Sequence, residues 1–120
     1  MSNCYIEQVE PVWRECFRVL RHGGALLAGL DTGINFAVDF QDESRLVHRL
    51  PFNPLKDPSL MAALAADGGG VQFSHTLEEQ IGGQLRAGFA LADLYEDTNG
   101  SGVLHELNVP SFVATRAVKP

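Results

Sequence analysis

Residues 25–30, Ala-Leu-Leu-Ala-Gly-Leu, are apolar at every position. A run this short and apolar on both faces is expected to lie as a central, parallel strand covered on both sides, because a half-exposed strand would alternate. What precedes it narrows the fold further. Val9, Val12, Trp13, Cys16, Phe17 and Leu20 recur in steps of three and four and draw one stripe on a helix predicted from Glu7 to Arg21. Pro11 then sits in the first turn, where its missing N–H costs nothing. Glu7 and Glu10 near the start and Arg18 and Arg21 near the end suit the helix dipole. His22-Gly23-Gly24 closes the helix, Gly23 supplying a left-handed stop. A helix, a tight glycine turn and a buried strand follow one another within 24 residues.

Asp31-Thr32-Gly33 ends that strand, and residues 32–73 read as a variable insertion. Within it, Ile34 to Phe40 reads equally as a short helix or an extended segment. Arg45 to Leu50 alternates like an exposed strand, and Pro58 to Ala66 reads as a short helix with Asp57 as N-cap, ended by Gly68-Gly69-Gly70. Thr76 and Glu79 have the spacing of a capping box, opening a helix to about Arg86 with Leu77, Ile81 and Leu85 as its apolar stripe. Gly82-Gly83 inside that helix costs about 1 kcal/mol per glycine relative to Ala, which points to a close approach of another element or a ligand. Gly88 stops the helix. Phe89 to Tyr95 and Ser111 to Val118 read as strands joined by a polar connection over 96–107, and consecutive strands without a helix between them are expected to pair antiparallel. The class is α/β, in a single domain over 1–120, with a mixed sheet, an antiparallel final strand pair and flanking helices.

Charge and composition exclude several functions. Nine Lys plus Arg, scattered, against fifteen Asp plus Glu leave a net charge of −6 and no footprint for a phosphate backbone or an anionic membrane. No leader-like segment opens the chain and no stretch approaches the ~18 apolar residues of a membrane span, so a cytoplasmic protein is expected. Cys4 and Cys16 have neither a zinc spacing nor a disulfide framework. His22, His48 and His105 have no partner at ligand spacing. Asp97-Thr98-Asn99-Gly100-Ser101-Gly102 mimics the start of a calcium loop. Position twelve, however, is Asn108, no helix is predicted on either side, and a flexible connection explains the glycine pairs. No metal site is expected.

The run Val12-Trp13-Arg14-Glu15-Cys16-Phe17-Arg18-Val19-Leu20-Arg21-His22-Gly23-Gly24-Ala25-Leu26-Leu27 resembles the helix, turn and fifth strand of class I S-adenosylmethionine-dependent methyltransferases. Residues 88–97 and 110–120 resemble their sixth strand and antiparallel seventh strand, and Ser2 to Tyr5 the end of their fourth. Residues 73–85 resemble one subgroup. His22 stands where the family usually has Pro, a tolerable change because His at a helix end can bond terminal carbonyls. The resemblance implies the C-terminal half of a partial Rossmann-like methyltransferase fold. It also implies S-adenosylmethionine as cofactor of the intact fold and a small-molecule methyl acceptor. The glycine-rich cofactor loop of the family follows its first strand, and no such loop follows any strand predicted here. The isolated chain is therefore expected to be inactive, with no cofactor-binding residues assigned. A strand edge left open by a missing neighbour favours a homo-oligomer, and a non-catalytic dimerisation module is the alternative.

Open α/β sheets bind ligands beyond the carboxyl ends of their parallel strands. Asp31 and Asn35 follow the apolar strand, and by the resemblance Asn3 and Tyr5 follow its neighbour. In this reading Asn3, Tyr5 and Asn35 orient the acceptor, Asp31 hydrogen-bonds it or acts as base, and His75 shuttles a proton near neutral pH. Each has a plainer reading: Asp31 as a strand-ending turn residue, His75 as the residue before a helix cap, Tyr5 as packing against the first helix.

Overall fold

The computed structural model describes residues 3–66, 68 and 70–120, so Ser2 and Gly69 of the segments above lie outside the described residues. After a 3-10 turn at Asn3–Tyr5, helix α1 spans Glu10–Val19, with Pro11 in its first turn. Strand β1 follows at Ala25–Asp31. Next come a one-turn helix α2 (Ile34–Ala37), a two-stranded antiparallel hairpin of β2 (Val38–Asp39) and β3 (Asp42–Leu46), and helix α3 (Pro58–Ala66). A π-helical turn at Glu78–Gly82 runs into α4 (Gly83–Ala87). Strand β4 (Ala90–Asp97), the short helix α5 (Val103–Glu106) and strand β5 (Phe112–Val118) complete the chain.

The main sheet has the order β1-β5-β4, and β5 pairs antiparallel with both neighbours. The α/β class and the antiparallel pairing of the last two strands are as the sequence led us to expect. The central, parallel and doubly covered placing of β1 is not: among the described residues it is an edge strand with an antiparallel partner. Among the described residues β1 pairs with β5 alone, and its burial alternates. Leu26, Ala28 and Leu30 face the helices beside Ala117, Thr115 and Val113 of β5, whereas Leu27 on the opposite face is 74% exposed. A run apolar on both faces needs two covering layers, and only one lies within these residues. The dimensions agree. The principal extents are 45 × 32 × 20 Å. The radius of gyration of 15.6 Å exceeds the ~13.6 Å of a compact chain this long, as for a flat two-layer body.

The covering layer is α1 against the π turn and α4. Val9, Trp13 and Leu30 are buried together, with Leu26, Ala28, Ile81 and Ala87 packed around them. The stripe expected on the 76–86 helix is displaced: Leu77 and Leu85 are exposed, while Gln80, Gly83 and Gln84 are buried. Close approach of α1 explains the choice of the smaller face. A Cβ on Gly83 would lie 2.7 Å from Trp13 Cδ1. The wide i→i+5 turn also leaves the Glu79 carbonyl open to the Trp13 indole N–H, which donates to it at 3.1 Å. The expected cost of Gly82-Gly83 is thus matched by helix contact at Gly83.

The C-terminal end of α1 is tied to the residues that follow β5. The Lys119 ammonium donates to the carbonyls of Phe17 and Leu20 at 2.8 Å each and lies 4.6 Å from the Phe17 ring centre, capping α1. His22, expected to bond helix-end carbonyls, instead places Nδ1 2.8 Å from the Pro120 carbonyl, because Lys119 already occupies the α1 terminus. Asp57 caps α3 as expected, accepting the N–H groups of Ser59 and Leu60. The strand expected at 45–50 lies three residues earlier, and the 96–107 connection contains α5. Its amide ends are held by the Glu43 carboxylate of β3, which accepts the Leu104 N–H at 3.1 Å.

The glycine pair gives a direct check. Gly83→Ala should destabilise the fold by about 1–3 kcal/mol, because the added methyl meets the Trp13 ring. Gly82→Ala, whose methyl meets only the far end of the Arg86 side chain, should stay within about 1 kcal/mol of wild type in urea unfolding.

Candidate functional site

At the carboxyl end of β1 three chain segments converge on the side chain of Gln80, which is 1% exposed. Its Nε2 donates to the Asp31 carbonyl at 2.8 Å and to the His75 carbonyl at 3.1 Å, and its Oε1 accepts from Asn3 Nδ2 at 3.0 Å. His75, also buried, has Nε2 3.0 Å from the Asn3 carbonyl, so that nitrogen carries the proton. Its Nδ1 lies 3.8 Å from Glu79 Oε2. The N-cap half of the expected capping box forms beside it: Thr76 Oγ1 accepts the Glu79 N–H at 3.0 Å, and the same hydroxyl donates to the Glu79 carboxylate at 3.1 Å. Three of the five residues singled out from sequence, Asn3, Asp31 and His75, are thereby joined in one network.

Their side chains face different spaces. Asp31 and Asn35 line a cavity of about 360 Å³ with Phe36, Phe40, Phe52, Leu64 and Gln72. His75 and Glu79 line a neighbouring cavity of similar size, with Arg49, Asn53 and Lys56, on the other side of Phe52. Asn35 is closed off by a reciprocal pair of amide hydrogen bonds with Asn99, at 3.0 and 2.8 Å. Tyr5 is 62% exposed. It belongs to neither cavity lining and is not packed away against α1.

Asp31 is the chemically distinctive member. Desolvation by burial raises its carboxyl above the ordinary aspartate value, partly offset by the Gly33 N–H, which donates to Oδ1 at 2.6 Å. Oδ2 has no hydrogen-bond partner among the described residues. A half-buried carboxylate with one oxygen committed and the other open can take a proton or a hydrogen bond from a ligand. The plainer reading is satisfied at the same time, since the Oδ1 bond is that of a strand-ending turn.

Gln80 and Gln84 were not singled out from sequence. Gln80, Gly83, Gln84 and Ala87 share one helical face at i, i+3, i+4 and i+7, but hydrophobic periodicity selects the leucine face instead. Gln84 accepts the Thr115 hydroxyl at 3.1 Å. Its Nε2, like the Ser111 hydroxyl, is buried without a partner among the described residues.

A helix, a glycine turn and a strand, followed by an antiparallel sheet whose last strand lies between two others, define part of the class I methyltransferase fold, here carried with flanking helices in an α/β chain. Among sequences, the chain is 34% identical over 125 residues to the Bacillus subtilis protein named uncharacterized methyltransferase YbaJ. The match takes in 99% of this chain and 48% of that protein, so the chain spans about half the length of the curated relative it matches. Among solved structures, it superposes with a TM-score of 0.64 on an S-adenosylmethionine-dependent methyltransferase from Mesorhizobium loti. That superposition has 19% identity and covers 98% of this chain and 58% of the other. A Listeria monocytogenes protein provisionally assigned the same activity gives a TM-score of 0.64 at 16% identity, covering 100% and 58%. No protein-family model matches.

The residues described do not by themselves fit S-adenosylmethionine. A glycine turn after a strand, with open backbone N–H groups, is the kind of cradle that holds a charged ligand group. The turn at Gly23-Gly24 precedes β1 and its amides are used internally, Gly23 N–H donating to the Lys119 carbonyl at 2.7 Å and Gly24 N–H to the Arg21 carbonyl at 2.9 Å, and the Gly33 N–H after β1 is taken by Asp31. No group of three or more His, Cys, Asp or Glu side chains able to hold a metal ion occurs among the described residues.

A raised native pKa means that the folded chain binds more protons at Asp31 than the unfolded chain does between the two values. The contribution of Asp31 to stability therefore falls as pH rises through that window. Asp31→Asn keeps an oxygen for the Gly33 N–H and abolishes the titration. Urea midpoints measured from acid to neutral pH should show the variant gaining on wild type as pH rises; a wild type that gains on the variant would contradict the desolvation of Asp31.

Proposed function

We propose that this chain forms the acceptor-binding part of an S-adenosylmethionine-dependent methyltransferase and holds the methyl acceptor at the carboxyl end of β1. The observation that carries the reading is Asp31. It is a desolvated carboxylate with an open oxygen at the wall of an aromatic-lined cavity, where open α/β sheets place their ligands. In this reading Asp31 accepts a hydrogen bond or proton from the acceptor. Asn35, braced by Asn99, bounds the polar end of the cavity. Asn3 and His75 act as positioning residues: through Gln80 and the Asn3 carbonyl they fix the segments on either side of Asp31. Tyr5, exposed and in neither cavity lining, would meet an acceptor only outside the pocket. The methyl group comes from S-adenosylmethionine held by residues other than those described here, and the protein's contribution is placement rather than reactivity.

The uncovered sheet face favours a second reading. Leu27, Ala114 and Tyr95 lie on it around the exposed Arg116, and the outer edge of β1 has no partner strand among the described residues. In that reading the chain is an interaction module whose open sheet recruits a second copy, giving a homodimer or higher oligomer without catalysis.

One pair of measurements separates the two. A chimaera in which this chain replaces the matching half of the Bacillus subtilis relative should bind S-adenosylmethionine in calorimetry, and the isolated chain should not. A folded chimaera that binds none, with the isolated chain a stable dimer by light scattering, would favour the interaction module.

A further inference from the structure

Resting on the acceptor-site reading, we propose that the cavity beside Asp31 takes a small phenol, a flat aromatic ring with a neutral hydroxyl, bound with that hydroxyl donating to Asp31 Oδ2. The size admits it. A cavity of about 150 Å³ holds a benzene, so about 360 Å³ holds a substituted ring.

The walls select it. Phe36 and Phe52 lie 5.2 Å apart at 40°, and Phe40 and Phe52 lie 6.1 Å apart at 72°. These rings present both faces and edges around one space, the arrangement in which a further ring gains contact beyond simple burial. Phe40 is held in place by stacking on His48 at 4.7 Å. Leu64 closes the apolar side.

The polar end decides the functional group. Asn35 is occupied by Asn99, and Asp31 Oδ1 by the Gly33 N–H. Among the described residues Asp31 is the sole charged one lining this cavity, with no Lys or Arg in the lining. A carboxylate, sulfate or phosphate on the guest would face that negative charge with no cationic side chain in the described lining to offset it. A neutral hydroxyl meets an open acceptor instead. The neighbouring cavity, which includes Arg49 and Lys56, offers the opposite preference.

The test is titration of the full chain with 4-ethylphenol and, separately, 4-ethylbenzoate, followed by amide NMR. The proposal expects saturable shifts at Asp31, Gly33, Asn35 and Phe36 with 4-ethylphenol, and benzoate binding at least about tenfold weaker. Phe40→Ala, at a 54% exposed ring and checked for an unchanged urea midpoint, should weaken 4-ethylphenol about tenfold. Asp31→Asn should narrow the gap between the two probes. Benzoate binding as well as the phenol, shifts centred on the open sheet face, an unchanged Phe40→Ala affinity or no saturable binding would each overturn it. Because the readout is ring binding, it is independent of the chimaera's cofactor binding. A chain that takes the phenol beside a chimaera that binds no S-adenosylmethionine would sink the methyltransferase reading and leave this pocket assignment standing, and the reverse result would do the opposite.

Discussion

The buried amide of Gln80 is the interaction on which the arrangement of the candidate site depends. It uses both donor hydrogens and its carbonyl to join the end of β1, the segment before the Thr76 cap and the turn at Asn3. These segments are separated by tens of residues in the chain and share no strand ladder. An amide suits the task because it offers donors and an acceptor without charge, so its burial carries no ionic desolvation cost once every bond is made. Replacing it with an apolar group would leave two backbone carbonyls and the Asn3 amide without partners in a buried space, at a cost beyond the lost bonds themselves.

The same helix turn serves the packing. The π-helical widening at Glu78–Gly82 turns Gln80 toward the β1 end and leaves the Glu79 carbonyl for the Trp13 indole. Gly83 then lets α1 approach to contact distance. This layer covers one face of β1 and β5, while β4 is exposed along its length. The other face presents Leu27 and Tyr95 to solvent, in a chain that spans 48% of its curated relative and 58% of the solved structures it superposes on. The half-fold and the open face are two aspects of one geometry.

Much of the framework was legible because it is local. The α1 stripe, the glycine stop, the β1 run, the Asp57 cap, the Thr76–Glu79 box and the antiparallel final strands each follow from residues within a few positions of one another. Asp31, Asn3 and His75 could be singled out by type and place, but the link between them could not, because Gln80 lies on the face that hydrophobic periodicity assigns to solvent. Leu77 and Leu85 misled for the same reason: which face of a helix is buried depends on what packs there, and here Trp13 requires the smaller one. The β1 run was over-read because apolarity on both faces implies two covering layers without saying whether the residues at hand supply them. The strand read at 45–50 lies earlier, as β3, and its partner β2 was not read as a strand, because short strands of mixed polarity carry little periodic signal.

Coupling of the Asn3 turn to the β1 end through Gln80 is measured by a double-mutant cycle between Asn3→Ala and Gln80→Ala in urea unfolding. Gln80→Ala alone should cost about 2 kcal/mol or more, and the two changes should be coupled by about 1 kcal/mol, because each removes the same hydrogen bond. Strict additivity of the two substitutions would contradict that coupling.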